Sequence, residues 1–277
     1  MIPRLIRKLI ERPQRRARRQ QETELQRLRP TTPYSDDTYL VAYPKSGNTW
    51  FSFLIANVNL LINHLPVQAT WWNIRSYVFD VHASQELPPN PLPLPPGRFI
   101  NSHSEFNRTY GRVIYLIRDP RDTFASYYDM TTKIGWFKGS MDEFLTSKIY
   151  GIPAWNRHVE GWVRKHWELS LIHFIRYEDL KNDPITVLAR MYRLYGIPVD
   201  KAVFETAVER SSFKVMRESE AEYRKNSFDL GSTFQLVRNG VVEGFSDELT
   251  PGQIDLIEEK CAEWMKLFDY LPTSKGA

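Results

Sequence analysis

In Thr38-Tyr39-Leu40-Val41-Ala42-Tyr43-Pro44-Lys45-Ser46-Gly47-Asn48-Thr49-Trp50, five largely apolar residues run through a turn marked by Pro44 and Gly47 into a stretch of helical character. Thr38 to Ala42 has the length and continuous apolarity of a buried strand, and Thr49 to Leu61 reads as the helix. A strand that turns directly into a helix gathers unpaired backbone N–H groups and the positive end of the helix dipole at one point, which suits a phosphate. Lys45 adds a charge and Thr49 a hydroxyl, with Ser46, Gly47, Asn48 and Trp50 completing the candidate loop. The lysine precedes the glycine and no Gly-Lys-Ser/Thr occurs, so this is not a Walker A loop. Taken alone, the segment also reads as a plain strand-to-helix turn.

Outward from this turn the chain alternates. Arg98 to Ser102, Val113 to Ile117 and Leu171 to Ile175 are further apolar runs of strand length. Ser140 with Glu143 forms a capping box, and Asp183-Pro184 opens a helix that Gly196 and Pro198 close. Thr250-Pro251 with Gln253 opens a last helix, in which Ile254, Ile257, Cys261, Trp264 and Leu267/Phe268 share one stripe. This alternation predicts an α/β fold: a single domain with a central, mainly parallel sheet flanked by helices, like the P-loop NTPases. Ligands of such sheets sit at the carboxyl ends of the strands. His64 to Gly97 shows no clear period and ends in Pro88, Pro89, Pro91, Pro93, Pro95 and Pro96, which predicts a long surface excursion.

At 277 residues, 42% hydrophobic and 13% aromatic, the chain can bury a sizeable core. No run of about 18 uncharged apolar residues occurs, so no segment reads as a membrane-spanning helix. Cys261 is the one cysteine, which excludes an intramolecular disulfide and a cysteine metal cluster and fits a reducing, cytoplasmic setting. The net charge of +4 is concentrated at one end: residues 1–30 carry ten basic and three acidic residues, leaving 27 basic against 30 acidic elsewhere. A mildly acidic body argues against nucleic-acid binding. Ile2, Leu5, Ile6, Leu9 and Ile10, with Arg4, Arg7 and Lys8 between them, form a basic amphipathic pattern that Pro13 stops. Residues 1–34 read as a tail whose first 12 residues suit a peripheral membrane contact or a targeting peptide, or simply water, and residues 35–277 as the domain.

The loop at residues 43–50 resembles the 5'-phosphosulfate loop of the sulfotransferases that use 3'-phosphoadenosine 5'-phosphosulfate (PAPS), and the resemblance spans about residues 38–268. Arg118-Asp119-Pro120-Arg121-Asp122 with Ser126-Tyr127-Tyr128 is similar to that family's 3'-phosphate motif, which implies that Arg118 and Ser126, the latter at the start of the following helix, hold that phosphate. Arg176-Tyr177-Glu178-Asp179-Leu180 resembles the next signature, Ser211-Ser212-Phe213-Lys214 the adenine segment, and Arg238-Asn239-Gly240 the late basic loop over the 3'-phosphate. The resemblance implies Trp50 and Phe213 on the two faces of the adenine, with Tyr177 and Ser211 near its edge. Three positions depart from the family pattern: Asn239 replaces a usual lysine, Phe245 a common tryptophan, and Asn101 a lysine frequent two residues before the base.

That base is implied to be His103, which closes Ile100-Asn101-Ser102-His103 at the carboxyl end of a strand. An ordinary imidazole pKa, about 6.5, suits removal of an acceptor proton at neutral pH. Lys45 would meet the charge on the departing 5'-phosphate oxygen, and no metal is required; the sequence offers neither a Walker-type Mg site nor a compact His/Cys cluster. Glu105 is the alternative base, or a solvated loop carboxylate. Singly, Arg118 reads as a solvated strand end, His103 as a polar residue, and the aromatics as core. Trp71, Trp72, Tyr77, Phe79, Trp136 and Phe137 suit an apolar pocket for a small-molecule, lipid or glycan acceptor, or else the packing of long loops. The competing functions are a nucleotide kinase or related phosphotransferase, and a catalytically inactive nucleotide-binding protein at a membrane surface.

Overall fold

The computed structural model describes residues 36–81, 97–226 and 242–272. The proposed N-terminal amphipathic segment, the proline-rich end of the excursion and Arg238-Asn239-Gly240 lie outside them. Five strands, β1 (Thr38–Ala42), β2 (Val78–Asp80), β3 (Phe99–Ser102), β4 (Arg112–Ile117) and β5 (Leu171–Arg176), form one sheet in the order β2-β3-β1-β4-β5. All of its pairings are parallel. β1 is therefore central, with β3 on one side and β4 on the other, and the chain reverses its winding about it. That reversal opens the crevice where open α/β sheets bind ligands.

Strand periodicity divides the core in two. Leu40 and Ala42 of β1 and Ile114 and Leu116 of β4 face α1 (Asn48–Ile62) and join a cluster with Leu188, Met191, Tyr192 and Phe204. Tyr39, Val41, Val113, Tyr115 and Ile117 face the other way, onto Phe124 of α2 (Pro120–Lys133) and Trp155 and Trp162 of α4 (Ile152–Arg164). α3 (Met141–Leu145) begins with the expected capping box at Ser140 and Glu143. α5 (Tyr177–Asn182), α6 (Pro184–Leu194), α7 (Lys201–Arg210) and α8 (Phe213–Asn226) follow β5, and α9 (Pro251–Leu267) starts from the Thr250/Gln253 box. At the amino end of the sheet Arg98 donates to both oxygens of Asp37, each at 2.7 Å, so this buried charge pair is hydrogen-bonded as well as neutralised.

Three expectations change. The excursion contains β2, which extends the sheet to a fifth strand. Its three residues are too few to show a period, and parallel pairing with β3, not local pattern, makes it a strand. Of the pair Leu267/Phe268, Phe268 packs against the core and Leu267 is 55% exposed, while Met265, one turn after Cys261, joins the buried stripe. Ser126 is the seventh residue of α2 and not at its start, so the unpaired amides of the helix end are out of its reach.

Candidate nucleotide and active site

Between β1 and α1 the backbone turns left-handed twice, at Lys45 (φ 72°) and at Gly47 (φ 106°). Glycine is needed at 47 for a second reason: a Cβ there would lie 2.5 Å from Cδ2 of Tyr177. The ring of Tyr177, at the start of α5, thus lies directly against the loop. Ser46 is buried, with its N–H donating to the Tyr43 carbonyl at 3.2 Å. Thr49 is exposed on the first turn of α1.

Asn48 turns the other way. Its Nδ2 donates to Oδ1 of Asn101 at 2.7 Å and approaches the carbonyl of Leu40 at 3.4 Å, while the Nδ2 of Asn101 lies 3.5 Å from Oδ2 of Asp80. A line of amides therefore runs from the phosphate loop across β3 to the end of β2. It gives Asn48 a part in fixing the loop to the sheet, and Asn101 a neutral tether where the family often has a lysine.

Arg118, at the end of β4, is 12% exposed at its side chain. Its Nη1 donates to the carbonyl of Lys45 at 3.3 Å, its Nη2 lies 3.4 Å from Oδ2 of Asp122, and its guanidinium sits 4.7 Å from the centroid of Tyr177. The Nε of that guanidinium is a buried donor that meets no acceptor. A cationic fork next to a glycine-turned loop fits phosphate oxygens. Ser126 is largely buried on α2.

The adenine segment departs from the expected sandwich. The rings of Trp50 and Phe213 are 5.5 Å apart at 32°, whereas a base between two rings needs about 7 Å. They form one platform, with the Lys181 ammonium 4.0 Å from the centroid of Phe213. Trp50 is fixed by donating Nε1–H to the Ser211 carbonyl at 3.1 Å, and the fully buried Ser211 hydroxyl accepts from Asn57 at 3.0 Å. Ser211 is placed as a support for the platform. Tyr177 meets Trp50 edge-on at 5.9 Å.

Across β1 from this platform, His103 places Nδ1 2.8 Å from the carbonyl of Ala42. A carbonyl only accepts, so Nδ1 carries the proton and the neutral ring presents Nε2 as its basic nitrogen. Burial pushes the His103 pKa below its ordinary value; the Ala42 carbonyl and Asp80 act against that shift, and Lys45 adds to it. Glu105 is 64% exposed at its side chain and paired with Arg157 at 3.4 Å, turned toward solvent. The acceptor-lining aromatics are divided: Trp71 and Tyr77 pack on the α1 face, Phe79 and Phe137 on the other, and Trp72 and Trp136 are 54% and 63% exposed.

Several contributors were not singled out from sequence. Glu178 accepts from Asp119 N–H at 3.0 Å and from the Tyr270 hydroxyl at 2.7 Å, strapping the ends of β4 and β5 to the tail of α9. Nδ1 of His158 in α4 lies within hydrogen-bond distance, 2.8 Å, of the Tyr115 hydroxyl, and burial lowers the His158 pKa to about 3. Only the Glu in a recognised signature gave any advance sign of these. Among the described residues, no group of three or more His, Cys, Asp or Glu is arranged to hold a metal ion, and no helix is long and apolar enough to cross a membrane.

The site joins a glycine-turned strand-to-helix loop, a strand-end arginine and a strand-end histidine on one parallel sheet, an arrangement that suits an α/β nucleotide-dependent transferase. Residues 35–269 match the family described as the sulfotransferase domain, and the chain belongs to that family. Sulfotransferase 2B1 of Homo sapiens is 28% identical over 199 residues, covering 66% of this chain and 52% of that protein, so the match spans about half of the relative's length. Solved structures share the fold, among them the following two. Mouse sulfotransferase SULT7A1 complexed with PAP has a TM-score of 0.62 at 21% identity, covering 87% of this chain and 89% of that one. Retinol dehydratase in complex with androsterone and inactive cofactor PAP has a TM-score of 0.65 at 20% identity, covering 89% and 84%.

Proposed function

We propose that the chain is a sulfotransferase that moves a sulfonate from PAPS to a hydroxyl or amine of a small acceptor, with His103 as general base and Lys45 stabilising the leaving phosphate. The observation that carries this reading is the bond from Arg118 to the Lys45 carbonyl. It joins the candidate 3'-phosphate arginine to the candidate 5'-phosphate loop, so both phosphates of one nucleotide have a reason to be read together. A kinase has no use for the first of these.

When bound, the donor supplies an activated sulfonate on a phosphate leaving group. His103 Nε2 takes the acceptor proton as the acceptor oxygen bonds to sulfur, and the bond from sulfur to the 5'-phosphate oxygen breaks. Lys45, with the loop amides and the Thr49 hydroxyl, meets the charge left on that oxygen. Arg118 and Ser126 hold the 3'-phosphate, with Arg238, Asn239 and Gly240 as further proposed contacts outside the described residues. The Trp50/Phe213 platform and Tyr177 take the adenine, which stacks on the outer face of the platform or enters once Phe213 rotates.

For the acceptor we propose a small apolar alcohol, a reading supported by the androsterone in the retinol dehydratase complex. The proposed setting is cytoplasmic, with residues 1–12 as a peripheral membrane contact. The test is transfer of labelled sulfonate from PAPS to a panel of steroid and phenolic alcohols. His103→Ala is expected to lower kcat by about 10²–10⁴ with donor affinity retained. Equal turnover by His103→Ala would remove the assigned base, and no transfer to any alcohol or amine would remove the activity.

A further inference from the structure

The first turn of α2 carries a carboxylate for which the chemistry above has no use. Asp122 is 4% exposed. Its Oδ1 accepts from the backbone N–H of Phe245 and its Oδ2 from that of Glu243, both at 3.0 Å, and the same Oδ2 lies 3.4 Å from Nη2 of Arg118. Glu243 adopts φ 61°, a conformation seldom taken by residues other than glycine. The 243–245 segment is held a second way: the Arg121 guanidinium lies 4.4 Å from the centroid of Phe245, while its own nitrogens are engaged by Asp119 at 2.6 to 3.1 Å and by Glu258.

A carboxylate fixed by two amides from another part of the chain cannot follow a mobile partner; its partner must conform to it. Arg118 is that partner. The Lys45 carbonyl and the Tyr177 ring restrain the guanidinium from two further sides. We infer that Asp122 is a positioning residue for recognition of the donor's 3'-phosphate, setting the orientation of the Arg118 fork from a carboxylate anchored on the backbone of Glu243 and Phe245. This inference rests on the assignment of Arg118 to the 3'-phosphate. Charge alone acts in the opposite sense, because a carboxylate beside a phosphate site repels the phosphate. A positioning role and a bare charge effect therefore differ in sign when Asp122 is neutralised.

The experiment is calorimetric binding of adenosine 3',5'-bisphosphate and of adenosine 5'-phosphate to wild type, Arg118→Ala, Asp122→Asn and the double variant. The readout is the preference for the 3'-phosphorylated nucleotide. Asp122→Asn is expected to lose about tenfold of that preference with little change toward adenosine 5'-phosphate, and the double variant to be no worse than Arg118→Ala alone. Unchanged or tighter bisphosphate binding, or equal loss of both nucleotides, overturns the inference. Full preference in Arg118→Ala would instead bring down the 3'-phosphate assignment itself, and loss in Arg118→Ala without loss in Asp122→Asn would bring down this inference alone. Should Asp122→Asn fail to fold, Asp122→Glu keeps the charge but moves the carboxylate by one methylene. It is expected to show the same lost preference, and retained preference would overturn the inference.

Discussion

The two sides of β1 are built by different means. Toward β4, the loop between β1 and α1 is a backbone device: left-handed turns at Lys45 and Gly47, an aromatic ring seated on the glycine, and an arginine tied to a loop carbonyl. Toward β3, the Ala42 carbonyl fixes the tautomer of the histidine, and beside it a side-chain network runs from the amides of Asn48 and Asn101 to Asp80. A backbone device tolerates almost no change at its glycine. A side-chain network tunes proton affinity and tolerates more.

The sharpest way to break this contrast is Gly47→Ala. The added Cβ meets Tyr177 at 2.5 Å in a backbone conformation already unfavourable to side chains, so the loop must shift. Affinity for adenosine 3',5'-bisphosphate is expected to fall about a hundredfold by titration, as loss of a hydrogen bond to a charged group costs at the upper end of its range. Wild-type affinity would mean that the loop is far softer than described.

A second test concerns the buried His158 under the histidine side. Because its folded pKa is lowered to about 3, the unfolded chain binds a proton that the folded chain does not as pH falls below the ordinary value of about 6.5. Stability contributed by the neutral ring is present above that pH and is lost progressively on acidification toward 3. Denaturant melts at pH 7 and pH 4 should differ by a few kcal/mol, and His158→Gln should flatten the slope. An equal slope in both proteins would exclude His158 as its source.

The smallest effect belongs to Asp80→Asn. His103 must be neutral to act, and burial lowers its pKa, so the acid limb of kcat/KM against pH should lie below the usual imidazole value. Asp80 opposes that shift, so its neutralisation should move the limb further toward acid by a fraction of a unit. Movement toward alkaline pH would contradict the assigned electrostatics.

The same contrast governs what could be read in advance. β1, the loop and α1 were legible because an apolar run, a glycine turn and a helix are local events, and the capping boxes at Ser140 and Thr250 appear as read. β2 was not, since three residues become a strand only when β3 lies beside them. In the site, Lys45, Arg118 and His103 stood out through spacing and resemblance. The bonds from Asn48 to Asn101 and from Tyr115 to His158 join residues 53 and 43 positions apart, separations at which neither partner marks the other. The closed Trp50/Phe213 platform is likewise a matter of ring geometry, which composition does not contain.

Calorimetry of adenosine 3',5'-bisphosphate against ADP and ATP, in buffer without divalent metal, decides which class of nucleotide the site takes. Metal-free binding of the bisphosphate in strong preference to both, abolished by Arg118→Ala, is the expected result. Tighter binding of ATP, or binding that requires Mg, would contradict it and favour a phosphotransferase.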